Sequence, residues 1–239
     1  MKFLIPIILT LALTPIYSFA EYPNAKDEYI NDFAQIIDDS SEIIIRKKLY
    51  DAEYYSGVEI SIATIESYSK YNTPSSSWEQ FATGLFNYWG VGNLPKNNGV
   101  LLLISKNDRK IRIELGAGYP SHYDAIMKSV IENDIAPRLK SGDFTTGVIL
   151  GVDEIIKATT RQITFLEWYK TYVLGGFGAF ISLLIALFID KKENPSLFWL
   201  FLGLAGILML ATLRGLKSGN RSEGFGGGSS NGGGASGNF

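Results

Sequence analysis

KNNGVLLLISKNDRKIRIELGAGY, residues Lys96 to Tyr119, decides how the rest of the chain is read. Val100 to Ile104 form an unbroken apolar run of strand length, the pattern of a central strand buried on both faces. After the polar turn Ser105-Lys106-Asn107-Asp108-Arg109, the residues Ile111, Ile113 and Leu115 alternate with Arg112 and Glu114 at the period of a second strand. Gly116 and Gly118 then let the backbone turn toward a helix. The stretch is a hairpin at the heart of a sheet. The loops that flank it carry carboxylate and amide oxygens, so a functional site is expected there.

Working outward toward the N-terminus, Asp39-Ser40-Ser41-Glu42 fits a capping box, with Ile45, Leu49 and Ala52 at helical spacing and Gly57 as the stop. Val58 to Ile65 reads as a strand. Ser77 with Gln80 suggests another cap, ahead of a helix whose face is Trp78, Phe81, Ala82, Leu85 and Trp89. Such an aromatic stripe reads as core packing. On the other side, Tyr123, Met127, Val130 and Ile131 predict a helix ending near Pro137. Ser141-Gly142-Asp143 breaks the chain and caps a last helix with Phe144, Val148, Val152 and Ile155 on its apolar face. This order of elements predicts an α/β domain over residues 22–168, with helices layered on a small mixed sheet.

The ends of the chain are read differently. Residues 1–20 have Lys2, an apolar core and a small-residue cleavage pattern ending at Ala20, which predicts a signal peptide and an exported domain. Residues 171–189 and 197–213 carry no charge and are long enough for two transmembrane helices. The polar linker between them holds Lys191 and Lys192. The tail, residues 214–239, ends in GFGGGSSNGGGASGNF and has too little apolar surface to fold by itself, so it is expected to be flexible. Together these readings place the protein in the membrane with its domain on the extracytoplasmic side, periplasmic or cell-surface.

Composition removes several kinds of chemistry. The 239 residues include no cysteine and one histidine, His122, so thiolate catalysis and multi-histidine metal sites are excluded. A net charge of -2 offers no basic field for nucleic acid. A bound metal would have to be held by oxygen, which points to calcium or magnesium. No GxxxxGK[ST] loop is present to cradle phosphates. Arg109, Lys110 and Arg112 offer positive charge, although a charged strand edge is ordinarily a solvated face.

The runs NDFAQIID, WGVGNLPKNNGVLLLISKNDRKIRIELGAGY and IAPRLKSGDFTTGVILGVDEII, with Asp124 between the last two, resemble the TPM domain family, also known as TPM phosphatase. The resemblance extends from Tyr22 to about Arg161. It implies an α/β/α sandwich, followed here by the two transmembrane helices and a disordered glycine-rich tail. It also implies a site for Ca2+ or Mg2+ at Asp32, Asn97, Glu114 and Asp124. Position 97 departs from the family, which often has aspartate there, and an amide supplies an oxygen without a charge. The resulting expectation is a divalent-cation-binding interaction module of the cell envelope with an unidentified envelope protein as partner. Metal-dependent phosphatase activity on phosphoesters is the alternative, and the catalytic residues are not assigned.

Overall fold

The computed structural model describes residues 22–160, 175–216 and 224–239. Five strands form one sheet in the order β1-β2-β3-β4-β5, with β1 at Ile30–Asp32, β2 at Ile60–Ile65, β3 at Val100–Ser105, β4 at Lys110–Leu115 and β5 at Gly233–Asn238. The first three strands run parallel, and β4 and β5 are antiparallel to their neighbours. The expected hairpin is the β3–β4 pair, in register from Val100 opposite Leu115 to Ser105 opposite Lys110. Every residue of β3 is buried, as its unbroken apolar run requires.

Helices cover both faces. On one side α1 (Asp39–Ser56), α3 (His122–Val130), α4 (Ala136–Lys140) and α5 (Phe144–Thr159) pack on Ile60, Ile62, Leu102, Ile104 and Ile113. On the other, α2 (Trp78–Trp89) presents Trp78, Phe81, Leu85 and Trp89 to Ala63, Ile65, Leu101 and Leu103. The alternation of these two sets along β2 and β3 is the period of two made physical. The aromatic stripe of α2 is therefore core.

Two helix boundaries differ from expectation. The cap of α1 is Asp38, whose side chain accepts from Ser41 N at 2.9 Å, so Asp39 is already the first helical residue. The helix begun at His122 does not end near Pro137. Its hydrogen bonding widens to a π-type turn over Ile131–Ile135, and Pro137 falls in the first turn of α4, where its missing N–H is not needed.

Two larger expectations are corrected. No helix among the described residues is long and apolar enough to cross a membrane. The described part of the first candidate span is α6, Gly175–Phe188. The second is α7, Pro195–Leu216. The two pack against each other as a hairpin, with Ala186 and Ala205 buried and Ser182 donating to Phe201 O at 2.8 Å. The signal peptide at residues 1–20 and the start of the first span lie outside the described residues.

The second correction concerns the tail, whose residues 224–239 are not disordered. They run along the domain and add β5 to the sheet, in register from Lys110 opposite Asn238 to Leu115 opposite Gly233. Low hydrophobicity argued against folding alone, but this segment gains its order from main-chain hydrogen bonds offered by β4 and the loops around it.

Candidate functional site

The β4 edge and its flanking loops form a groove that holds residues 224–239. Phe225 opens the contact by stacking on Trp89, with ring centroids 5.7 Å apart. Gly226 N donates to Glu59 Oε2 at 3.1 Å, and Gly228 N reaches the carbonyls of Gly90 and Gly92. Burial pushes the Glu59 carboxyl up to about 7, against the opposing pull of the Gly226 and Gly92 N–H groups. Ser229 N donates to Asn97 Oδ1 at 3.1 Å, and its carbonyl accepts from Ala117 N at 2.8 Å. Ser230 exchanges two bonds with the Asn87 amide, giving its N–H to Oδ1 and accepting from Nδ2. At the far end Phe239 is 5% exposed, edge-on to Phe144 and beside the Arg109 guanidinium.

An ion pair sits at the centre of this groove. Arg112 and Glu114 lie on the α2 face of β4, 5% and 0% exposed, with Nη2 2.7 Å from Glu114 Oε2. Two buried charges are tolerable only when their remaining hydrogen-bonding capacity is met. Glu114 Oε1 accepts from Thr83 Oγ1 at 2.8 Å and from Ser230 Oγ at 2.6 Å. Arg112 donates to the carbonyls of Gly232 and Gly233, each at 3.0 Å, and to Ser236 Oγ at 3.3 Å. The tail thus supplies much of what keeps the pair stable. Arg112 is not the solvated edge residue expected from its sequence.

The four residues assigned to a cation do not converge. Asp32 ends β1 and folds back on its own loop, accepting from Ile36 N at 3.2 Å, Ile37 N at 2.9 Å and the Thr64 hydroxyl. Three strand spacings put it roughly 14 Å across the sheet from β4, at the opposite end of the strands from Glu114. Asn97, Glu114 and Asp124 do share one neighbourhood, and what they share is the tail. Asp124 Oδ1 accepts from Gly234 N at 2.7 Å, an N–H that points away from β4, whereas Glu114 lies on the α2 face. The strand β5 therefore runs between the two carboxylates. Among the described residues no group of three or more histidine, cysteine or carboxylate side chains gathers as a metal site needs. These donors do not fit a shared divalent ion in this arrangement.

The expected phosphate-facing cations are also engaged. Arg109 Nε donates to the Phe239 carbonyl, Lys110 lies over the Tyr68 ring at 5.1 Å, and Arg112 serves the ion pair. Asp108 is the turn former expected, accepting from Ser67 Oγ, Tyr68 N and Ser105 Oγ.

Sequence reasoning missed Arg112, Asn87 and Glu59 as parts of the site. A signal was present for the first, because Arg112 and Glu114 share one face of a strand whose neighbours are buried. The phenylalanines bounding the glycine run, Phe225 and Phe239, were the signal for the tail.

Comparison with known proteins bears on the whole domain. The TPM domain family profile matches residues 30–158, more than half of the chain. Among solved structures, the N-terminal domain of a protein from P. gingivalis is 25% identical with a TM-score of 0.47, over 54% of this chain and 80% of that one. The N-terminal domain of a protein from Corynebacterium glutamicum is 15% identical, TM-score 0.44, over 62% and 90%. A protein from the psychrophilic bacterium Bizionia argentinensis is 22% identical, TM-score 0.43, over 52% and 81%. No curated protein matches the chain.

Proposed function

Because the chain belongs to the TPM domain family, we propose that it is an interaction module whose β4 edge takes an extended glycine- and serine-rich strand. In this chain the groove is filled by its own residues 224–239. The observation that carries the reading is the source of the strand. Glu114 at the groove centre accepts from Ser230, 116 residues downstream, and every residue of β4 is paired with the tail. A sheet edge that is completed from so far away is a receptor for a peptide in the β-augmentation mode, where main-chain bonds give affinity and side-chain contacts give selectivity. Left open, the same edge would present unpaired backbone groups and an incompletely satisfied Arg112–Glu114 pair.

The test uses the full chain with a protease site inserted between α7 and Gly224, cut after folding. The tail fragment is expected to remain with the body on gel filtration and to exchange reversibly with a labelled synthetic peptide of residues 224–239. Irreversible loss of the fragment from a body that stays folded but no longer binds peptide would overturn the reading. Unfolding of the cut body on loss of the fragment would do so too, because the tail would then be a structural strand and nothing more.

A further inference from the structure

We infer that the groove selects its strand by glycine spacing between two aromatic anchors, and that the ligand it takes in trans is the tail of a second copy of this chain. The inference rests on the strand-module reading above and names its ligand.

Selectivity follows from where the groove refuses even a methyl group. A Cβ built at Gly228 would meet the carbonyls of Val91 and Gly92, and one at Gly226 would meet Asn93. At Gly234, where φ is +115°, it would meet the Ile113 carbonyl, and at Gly237 the Ile131 side chain. At Gly228 and Gly234 the obstacle is backbone, which cannot swing aside as a flexible side chain would, and at Gly226 the Asn93 Cα stands behind its amide. An ordinary edge-pairing strand rich in valine, isoleucine or threonine is therefore excluded. Between the refusing positions the groove asks for hydroxyls, since Ser230 bonds Glu114 and Ser236 bonds Glu79 at 2.8 Å. At the two ends it asks for aromatic rings, Phe225 against Trp89 and Phe239 against Phe144 and Arg109.

In this sequence only residues 224–239 meet all of these requirements. A second copy meets them by identity, and exchanging an identical element is a low-cost route to association. The tail in cis competes at high effective concentration, so exchange shows only when that tail is displaced or the protein is concentrated. Reciprocal exchange closes into a two-fold dimer, and one-way exchange builds open chains.

The experiment mixes the full-length variant Gly234→Val/Gly237→Val, whose own tail cannot seat, with the full-length parent and separately with fluorescent 224–239 peptide. Light scattering after gel filtration and fluorescence anisotropy are the readouts. The variant is expected to capture the parent in a mixed species and to bind the peptide. Peptides carrying Gly234→Ala or Gly237→Ala should bind roughly 5- to 150-fold more weakly, because the added methyl overpacks the groove. Alanine peptides that bind as well as the parent sequence would overturn the glycine spacing. Peptide binding with no mixed species at any ratio would overturn exchange between copies and leave the strand module standing. A folded variant that binds neither partner would remove the strand module as well. Should the double variant fail to fold, the cleaved parent chain takes its place in the same titrations, with the same outcomes.

Discussion

At the β1 edge of the sheet, the polar groups that finish the strand come from within a few residues of it and from Thr64 on the neighbouring β2. Asp27 Oδ1 accepts from Tyr29 N and Ile30 N, Asn31 bonds Lys26 N, Asp27 N and the Asp27 carbonyl, and Asp32 turns back on Ile36 and Ile37. The strand is only three residues long, which is itself a way of blunting an edge. The β4 edge is six residues long, and its partners lie beyond α7, in the tail. One edge is completed by local side chains and has nothing to exchange. The other is completed by a segment that holds on through main-chain bonds, contacts to the Arg112–Glu114 pair and two rings. The difference teaches that the carboxylates at the two edges have different work. Asp32 stabilises a loop, and Glu114 and Asp124 receive a strand.

Substitutions at the two edges should separate these roles. The largest effect is expected from Glu114→Ala, which strands Arg112 in the α2 face without its partner and removes the acceptor for Ser230. Breaking a buried pair in this way costs about 3–5 kcal/mol, to be read from urea unfolding. Hydrogen exchange at residues 233–238 should accelerate along with it. A variant that loses that stability while keeping tail protection would detach the ion pair from the groove.

A smaller effect is expected at Glu59, where the tail enters. Its carboxyl is raised from 4.5 to about 7 in the fold, so the native state favours the protonated form. The stability this contributes is fully present below pH 4.5 and is lost as pH rises through 7. Glu59→Gln retains an acceptor for Gly226 N and has no charge to bury. The variant should lack this component of the pH dependence and exceed the parent above pH 7 by up to about 3 kcal/mol. Parallel stability profiles for the two proteins across that range would show that burial of Glu59 is not what raises it.

The smallest effect belongs to the β1 edge. Asp32→Ala removes the acceptor for Ile36 N and Ile37 N and should cost about 1–2 kcal/mol, in the range of a lost cap. Exchange rates at residues 233–238 should not change. Faster exchange there would join the two edges into one site and restore the grouping of Asp32 with Glu114 and Asp124 that was expected of a cation.

Much of this molecule was determined by its sequence alone. Period-two alternation and an unbroken apolar run identified β3 and β4, and the spacing of Trp78, Phe81, Leu85 and Trp89 identified the buried face of α2. Ser77, Gly57 and Asp143 marked helix ends, because caps and left-handed stops are chosen by residue type within a turn or two. The same locality accounts for the near misses, since Asp38 and Asp39 are equally good caps in sequence and Pro137 looks like a stop until the preceding turn widens. Only the tertiary structure decided the fate of residues 224–239. Glycine has no side chain with which to announce a partner, and the tail's partners are backbone groups, an ion pair and two ring contacts held on distant segments. It also decided that Asp32 stands apart from Glu114 and Asp124, because distance across a sheet depends on strand order, which no local pattern of residues encodes.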